Sequence, residues 1–189
     1  MSRAKDSTEL LTLEPLLESV RLGVEDAGWM LSGLQKTTSH EFEGRWAGEA
    51  TRSAYLFFHR MDLPESVSVE GFLDETSRRL RGNLALVLDG PILARIGRIP
   101  EVLERVASAT TETLPEGYRT PVSLRLAIPD ADTSAQDAEV QFRIKLRIPR
   151  AAVDAGSSAV RALAAAAVVA FEALLERPEV AEMLPPVVE

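Results

Sequence analysis

The residues best suited to chemistry in this chain are its two histidines, His40 and His59, and a run of alternating cations, Arg143, Lys145 and Arg147. A hairpin turning at Glu49-Ala50 would set His40 opposite His59 and Phe42 opposite Phe57, because facing side chains of an antiparallel pair lie close enough to touch. Two imidazoles so placed can share a metal ion, or act as a pair that gains charge near neutral pH. Glu41 and Glu43 alternate to the other face, which leaves Asp62 to complete a metal set of His40, His59 and Asp62. No HExxH spacing accompanies the pair, a one-residue slip would undo it, and histidines at polar strand ends are commonplace.

On a strand, Arg143, Lys145 and Arg147 share the face opposite Phe142, Ile144 and Leu146, and Arg125 joins them from a neighbouring strand. The chain carries a formal charge of -8, so this stripe reverses the local sign. It suits an acidic protein partner or a phosphate-bearing or other anionic ligand. The overall charge argues against a nucleic-acid partner, and no aromatic residue interleaves with the cations to stack on bases. The plain alternative is that the charges keep the open face of a sheet soluble and guard its edge.

Other chemistries are narrowed by what the sequence lacks. It has no cysteine, which removes disulfides, thiolate nucleophiles and sulfur-ligated metals. It has no nucleophile elbow, phosphate-binding loop or dinucleotide fingerprint, and Glu70, Asp74 and Glu75 read as the solvated face of a helix. No cofactor is implied, and the balance leans away from an enzyme.

The elements that must position these residues follow from the periodicity. Thr12, Glu14 and Pro15 form a helix start, and Leu13, Leu17, Val20, Val24, Ala27, Leu31 and Leu34 repeat at coiled-coil spacing, which predicts a helix over about 13–34. Leu13, Leu17, Val20, Val24, Leu31 and Leu34 are then an interaction seam, docked on the domain's own sheet or on a second chain. Residues 40–60 predict a hairpin whose second strand, Ala54 to Phe58, is apolar on both faces. A helix is predicted over Ser68–Arg81, with Val69, Phe72, Leu73, Thr76 and Leu80 inward and Asp74–Arg78 and Glu75–Arg79 as i,i+4 pairs. A strand follows over 83–89, a single helical turn at Ile92–Ile96, and a helix from Pro100 to about Thr111.

The clearest signal comes late. Val122 to Ile128 and Val140 to Ile148 alternate strictly, joined by an acidic loop over 129–139, and predict a second hairpin. An Ala-rich helix over about 157–177 closes the chain, with Ala162, Ala166 and Ala170 on one face. Arg161 and Glu172 interrupt its apolar run, so packing on the sheet or on a symmetry mate is expected rather than a membrane span.

The expected fold is therefore α+β: about five largely antiparallel strands with helices packed on one face or on both, in a single globular domain over residues 1–189. The sheet and its helices occupy about 40–177, and 178–189 forms a tail. Absence of a signal-like N-terminal run suits a cytoplasmic protein, and an Ala- and Arg-rich, Lys-poor composition suits a bacterial source. The leading functional expectation is a non-catalytic interaction or scaffold protein, self-associating as a homo-oligomer or serving as a subunit of a larger bacterial assembly, with no membrane partner. The alternative is a small-molecule, anion or metal-binding protein, a hydrolase included, using the His40/His59 face or the Arg143/Lys145/Arg147 face.

Overall fold

In the segment Glu139–Ile148, apolar and polar residues alternate over the whole length, and from Gln141 onward burial follows that alternation. In the computed structural model, which describes residues 12–38, 51–76, 79–89, 99–117, 123–127 and 139–182 together with Leu184, Phe142, Ile144, Leu146 and Ile148 are buried, whereas Arg147 is exposed. The elements in chain order are α1 (Leu13–Asp26), β1 (Met30–Thr38), β2 (Thr51–His59), β3 (Val67–Thr76), β4 (Leu80–Asp89), α2 (Ile99–Thr113), β5 (Ser123–Ala127), β6 (Glu139–Ile148), α3 (Arg150–Ala155), α4 (Ser157–Leu175) and α5 (Pro178–Ala181). The strands form one six-stranded sheet in the order β1-β2-β3-β4-β6-β5, and every neighbouring pair is antiparallel. The α+β expectation holds.

One face of the sheet is apolar and carries the helices. Ala54, Leu56 and Phe58 of β2, Val67, Val69 and Leu73 of β3, Leu84, Leu86 and Leu88 of β4 and the buried residues of β6 form its floor. Leu13, Leu16, Leu17, Val20 and Val24 of α1 and Val160, Val168, Phe171 and Leu174 of α4 close it from above. Each such Leu, Val or Phe contributes about 1.5–3 kcal/mol by leaving water. The first part of the predicted seam is thus core, covered by the chain's own α4 and sheet.

The two helices meet at Gly23. A Cβ there would lie 2.4 Å from the Arg161 carbonyl oxygen and 2.7 Å from the Ala164 Cβ, so only glycine lets the backbones approach this closely. Asp26 accepts two hydrogen bonds from Arg161 beside the crossing, at 2.6 and 2.8 Å. The first amide of α1, on Leu13, donates not to a Thr12 side chain but to Glu75 Oε1 of β3, at 3.2 Å.

Helix α1 stops at Asp26 rather than near Leu34. Gly28 takes a φ of +86°, the left-handed conformation that ends helices, and its N–H returns to the Glu25 carbonyl at 2.9 Å. Trp29 then turns inward, 1% exposed, and donates its indole N–H to Glu172 Oε1 of α4 at 3.0 Å. Arg60 pairs with the same carboxylate. Leu31 and Leu34 consequently belong to β1, the first half-buried against the core and the second exposed.

Strand β3 and the start of β4 occupy Ser68–Arg81, where a helix was expected. Val67, Val69 and Leu73 alternate with Ser68, Glu70 and Phe72, and the β-branched residues with central Gly71 favour the strand over the competing helical spacing. The carboxylates therefore pair across strands. Glu75 binds Arg52 of β2, while the buried Asp74 accepts from Arg81 Nε at 2.8 Å and Ser53 Oγ at 2.9 Å. Arg78, the Ile92–Ile96 turn and most of the acidic loop lie outside the described residues.

In α4 the buried stripe is Val160, Ala164, Ala167, Val168, Phe171, Leu174 and Leu175, whereas Ala162 and Ala166 are exposed and Ala170 is half-buried. By length and composition α4 could cross a membrane, and its bulkiest residues are spent on the core.

Candidate functional site

Strand alternation sends Tyr55, Phe57, Glu70, Phe72, Asn83, Ala85, Val87, Arg143, Lys145 and Arg147 to the face opposite the helices. Two rows of directly paired residues cross its centre. Tyr55, Phe72, Asn83 and Arg147 form one, and Phe57, Glu70, Ala85 and Lys145 the other. The rings of Tyr55 and Phe72 sit 4.9 Å apart, centroid to centroid, tilted by 46°. At the middle of the second row Ala85 is short, so the surface sinks into a hollow of about 240 Å³. Its walls are Tyr55, Phe57 and Phe72 on one side and Arg143 and Lys145 on the other.

Over Ala85 the Glu70 carboxylate of β3 reaches the Arg143 guanidinium of β6. The two strands are separated by β4, about 9–10 Å between backbones. Glu70 faces Ala85 and Arg143 faces Val87, so the two long side chains close that gap diagonally, beside the short Ala85. Arg143 NH1 donates to Gln141 Oε1 at 3.1 Å, and NH2 is held by Glu70. Nε–H is buried and has no hydrogen-bond partner among the described residues. Burial pushes the Arg143 guanidinium below its usual pKa, as expected for a cation partly removed from water. The charged side chains lining the hollow are two cations, Arg143 and Lys145, and one carboxylate, Glu70, in a chain of formal charge -8.

The other expected cation, Arg125, stands opposite Gln141 in the β5–β6 ladder. Arg147 is exposed at the end of the Tyr55 row. The three cations on β6 thus lie together on the face that sequence alternation gives them, and Tyr55, Phe57 and Phe72 beside them come from other strands. That juxtaposition was invisible in sequence, where the cationic segment has no interleaved aromatic residue.

The histidine pair takes a different course. His59 is opposite Met30, because the partner of β2 is β1 and not a strand over 40–48; His40 itself lies outside the described residues. His59 Nδ1 is 2.7 Å from Ser32 Oγ. Asp62 receives both Nε and NH2 of Arg60 at 2.6 Å, which holds its carboxyl below the usual range. Among the described residues no group of three or more histidines and carboxylates converges as a metal site would require.

A second cleft, of about 250 Å³, lies between α4 and the sheet, where Ala166, Ala167 and Ala170 face Leu84, Leu146 and Ile148. It is apolar and open on one side. Comparison of the chain with protein-family models, with curated proteins and with solved structures finds no match in any of the three.

Proposed function

We propose that this protein is a non-catalytic interaction protein that holds an acidic segment of a protein partner against the open face of its sheet. The observation that carries this reading is Arg143, a partly desolvated cation with an unpartnered Nε–H, set beside three aromatic side chains. Interfaces draw their affinity from such places, where arginine and aromatic residues are packed together and partly dry. Arg147 and Lys145 extend the positive field and favour encounter with a negative chain.

The test is a binding titration with fluorescein-labelled peptides that alternate Glu with aromatic residues, against the same peptides with Lys for Glu. Binding confined to the acidic set, weakening with salt and lost in the R143E/R147E double variant, supports the proposal. Equal binding of both sets, or affinity unchanged in the double variant, refutes it.

Self-association is favoured by a separate observation. Among the described residues β1 ends the sheet; it has a single charge, Lys36, and shows Met30 and Leu34 to solvent at 50% and 45% of their surface. A strand of this kind invites a second copy to pair with it. Sedimentation velocity distinguishes the outcomes: a dimer that dissociates in Leu34→Lys supports edge pairing, and a strict monomer at high concentration removes it.

A further inference from the structure

Among the described residues the sheet has two edges, β1 and β5, and they are built differently. β5 has five residues with Arg125 at its centre, the short and charged form in which edges resist further pairing. β1 has nine residues, and its one charge, Lys36, lies off centre. Over residues 33–38 its ladder with β2 runs without a break, from Gly33 opposite Phe57 to Thr38 opposite Arg52. Before that the register shifts between Leu31 and Gly33, which makes Ser32 the extra residue of a bulge. Ser32 Oγ is turned toward β2, 3.0 Å from the Phe57 carbonyl oxygen and 2.7 Å from His59 Nδ1. The regular edge that can take another strand is therefore residues 33–38. In a closed dimer of antiparallel edges, a two-fold axis passes through one residue matched to its own copy. An axis at Gly33 or Leu34 carries the partner strand across the bulge. An axis at Lys36 sets two ammonium groups directly opposite each other, and one at Thr37 or Thr38 leaves most of the edge unpaired. Gln35 remains, and it matches all of residues 33–37 within the regular run.

We infer that two copies of this chain join β1 to β1, antiparallel about a two-fold axis at Gln35, into one sheet with six strands from each copy. The inference rests on the edge-pairing reading above and gives it a register. Each Leu34, 45% exposed in the single chain, then faces the partner's Lys36, whose methylene stem covers it while the ammonium stays in water. The Gln35 carboxamide, a donor and an acceptor at once, meets its own copy. On the other side of the strand Gly33 faces the partner's Thr37. Phe57 lies over Gly33, where a Cβ would come within 3.3 Å of its Cδ2, so the partner's Thr37 packs on that ring. The axis is normal to the sheet, and both open faces therefore point the same way.

The experiment uses the full chain, whose lack of cysteine makes any introduced thiol the sole one in each copy. Gln35→Cys sets two thiols on residues whose Cα atoms are about 4.5–5.5 Å apart, within disulfide reach, whereas Thr37→Cys sets them roughly 14 Å apart. Under mild oxidation Q35C should form a covalent dimer at least about tenfold faster than T37C. Charge gives an independent readout by sedimentation velocity, at positions exposed enough to leave the fold alone. Leu34→Lys creates two symmetry-related like-charge pairs with the partner's Lys36 and should weaken the dimer by about tenfold or more. Leu34→Glu meets an opposite charge instead, as does the swap L34K/K36E, and both should stay within about threefold of the parent. A dimer in which Q35C links no faster than T37C, or in which Leu34→Glu is as disruptive as Leu34→Lys, overturns the register while edge pairing stands. A strict monomer, or a dimer indifferent to Leu34→Lys, removes edge pairing and this inference with it.

Discussion

Replacing Gly23 by alanine puts helix propensity and packing in opposition, and the structure decides the sign. In an isolated helix, Gly→Ala stabilises by about 1 kcal/mol. In this protein the added methyl would lie 2.4 Å from the Arg161 carbonyl oxygen and 2.7 Å from Ala164 Cβ. Carbon atoms pack best at about 3.5–4.0 Å, so the methyl is short of a tolerable contact by about 1 Å. The nearest atom is helix backbone, which cannot swing aside as a side-chain tip can. Relief requires α1 and α4 to part, and a gap of that order forfeits about a quarter to a half of each affected contact. Overpacking of this kind costs about 1–3 kcal/mol, with a rigid backbone obstacle at the upper end. After the propensity gain, Gly23→Ala should lower stability by about 2 kcal/mol, an expected fall of about 4–8 °C in Tm for a chain of this length.

The assay is thermal and urea unfolding followed by circular dichroism, with Trp29 fluorescence as a local probe because its indole is held by Glu172 of α4. A peptide covering residues 12–27 serves as the control, and there the same substitution should raise helicity. If the full-length variant is as stable as the parent or more so, α1 and α4 do not cross at Gly23, and the account of the helical layer given above is wrong.

Gly82→Ala makes the complementary case, because the nearest atoms to its methyl would be the side-chain ends of Leu73 and Ile148 at 2.6 and 3.0 Å, with backbone, the Phe72 carbonyl oxygen, no nearer than 3.3 Å. These ends can rotate, so the loss should stay under about 1.5 kcal/mol in the same unfolding experiment. Ala170→Leu extends into the apolar cleft beside Leu84 and Leu146 and should raise stability by about 1 kcal/mol, less than full burial of the added carbons because the cleft is open on one side. The Arg161 hydrogen bond holds the Asp26 carboxyl below its ordinary 3.8, so its stabilisation is present above that pH and is lost as pH falls through the lower folded value. Unfolding midpoints of the parent and Asp26→Asn should therefore differ at pH 7, begin to approach each other as pH falls past 3.8 and converge only below the lowered folded value; a gap that persists there would show that Asp26 acts by packing and not by charge. Replacing both Glu70 and Arg143 by Met should leave stability within about 1 kcal/mol of the parent, whereas Arg143→Met alone should be clearly worse because Glu70 is left unpaired. Equal losses in the single and double variants would contradict this account of the pair.

Much of the sheet was legible where one face is buried and the other wet. In β6 the alternation of Phe142, Ile144, Leu146 and Ile148 with Arg143, Lys145 and Arg147 admits one period only, and burial follows it. In β3 two periods compete in the same letters: Val69, Phe72, Leu73, Thr76 and Leu80 satisfy a helix, while Val67, Val69 and Leu73 satisfy a strand. The choice is made by partners distant in sequence, Leu56 beside Gly71 and Arg52 beside Glu75. Helix α1 overran because its apolar spacing continues through Leu31 and Leu34 while the chain does not. Gly28 at +86° stops it, because a glycine in the left-handed conformation caps a helix end. The histidine register failed for the same reason, since moving β1 back to Met30–Thr38 changes every partner of β2.

The hollow was legible only by halves. The cations were visible as a stripe; the aromatic wall was not, because Tyr55, Phe57 and Phe72 reach it through the β2–β3 and β3–β4 pairings. That division also bears on what the Glu70–Arg143 pair is for. A partly buried ion pair contributes little to stability compared with apolar residues of similar volume, since desolvation offsets most of the attraction. The helix-bearing face already supplies a continuous core of Leu, Val, Ile and Phe, so the fold has no need of a salt bridge spanning three strands. What the pair does provide is a guanidinium held in direction at the edge of the hollow. A carboxylate that served only solubility would lie in water instead of reaching the Arg143 guanidinium. The arrangement suits the acidic partner segment proposed for this face.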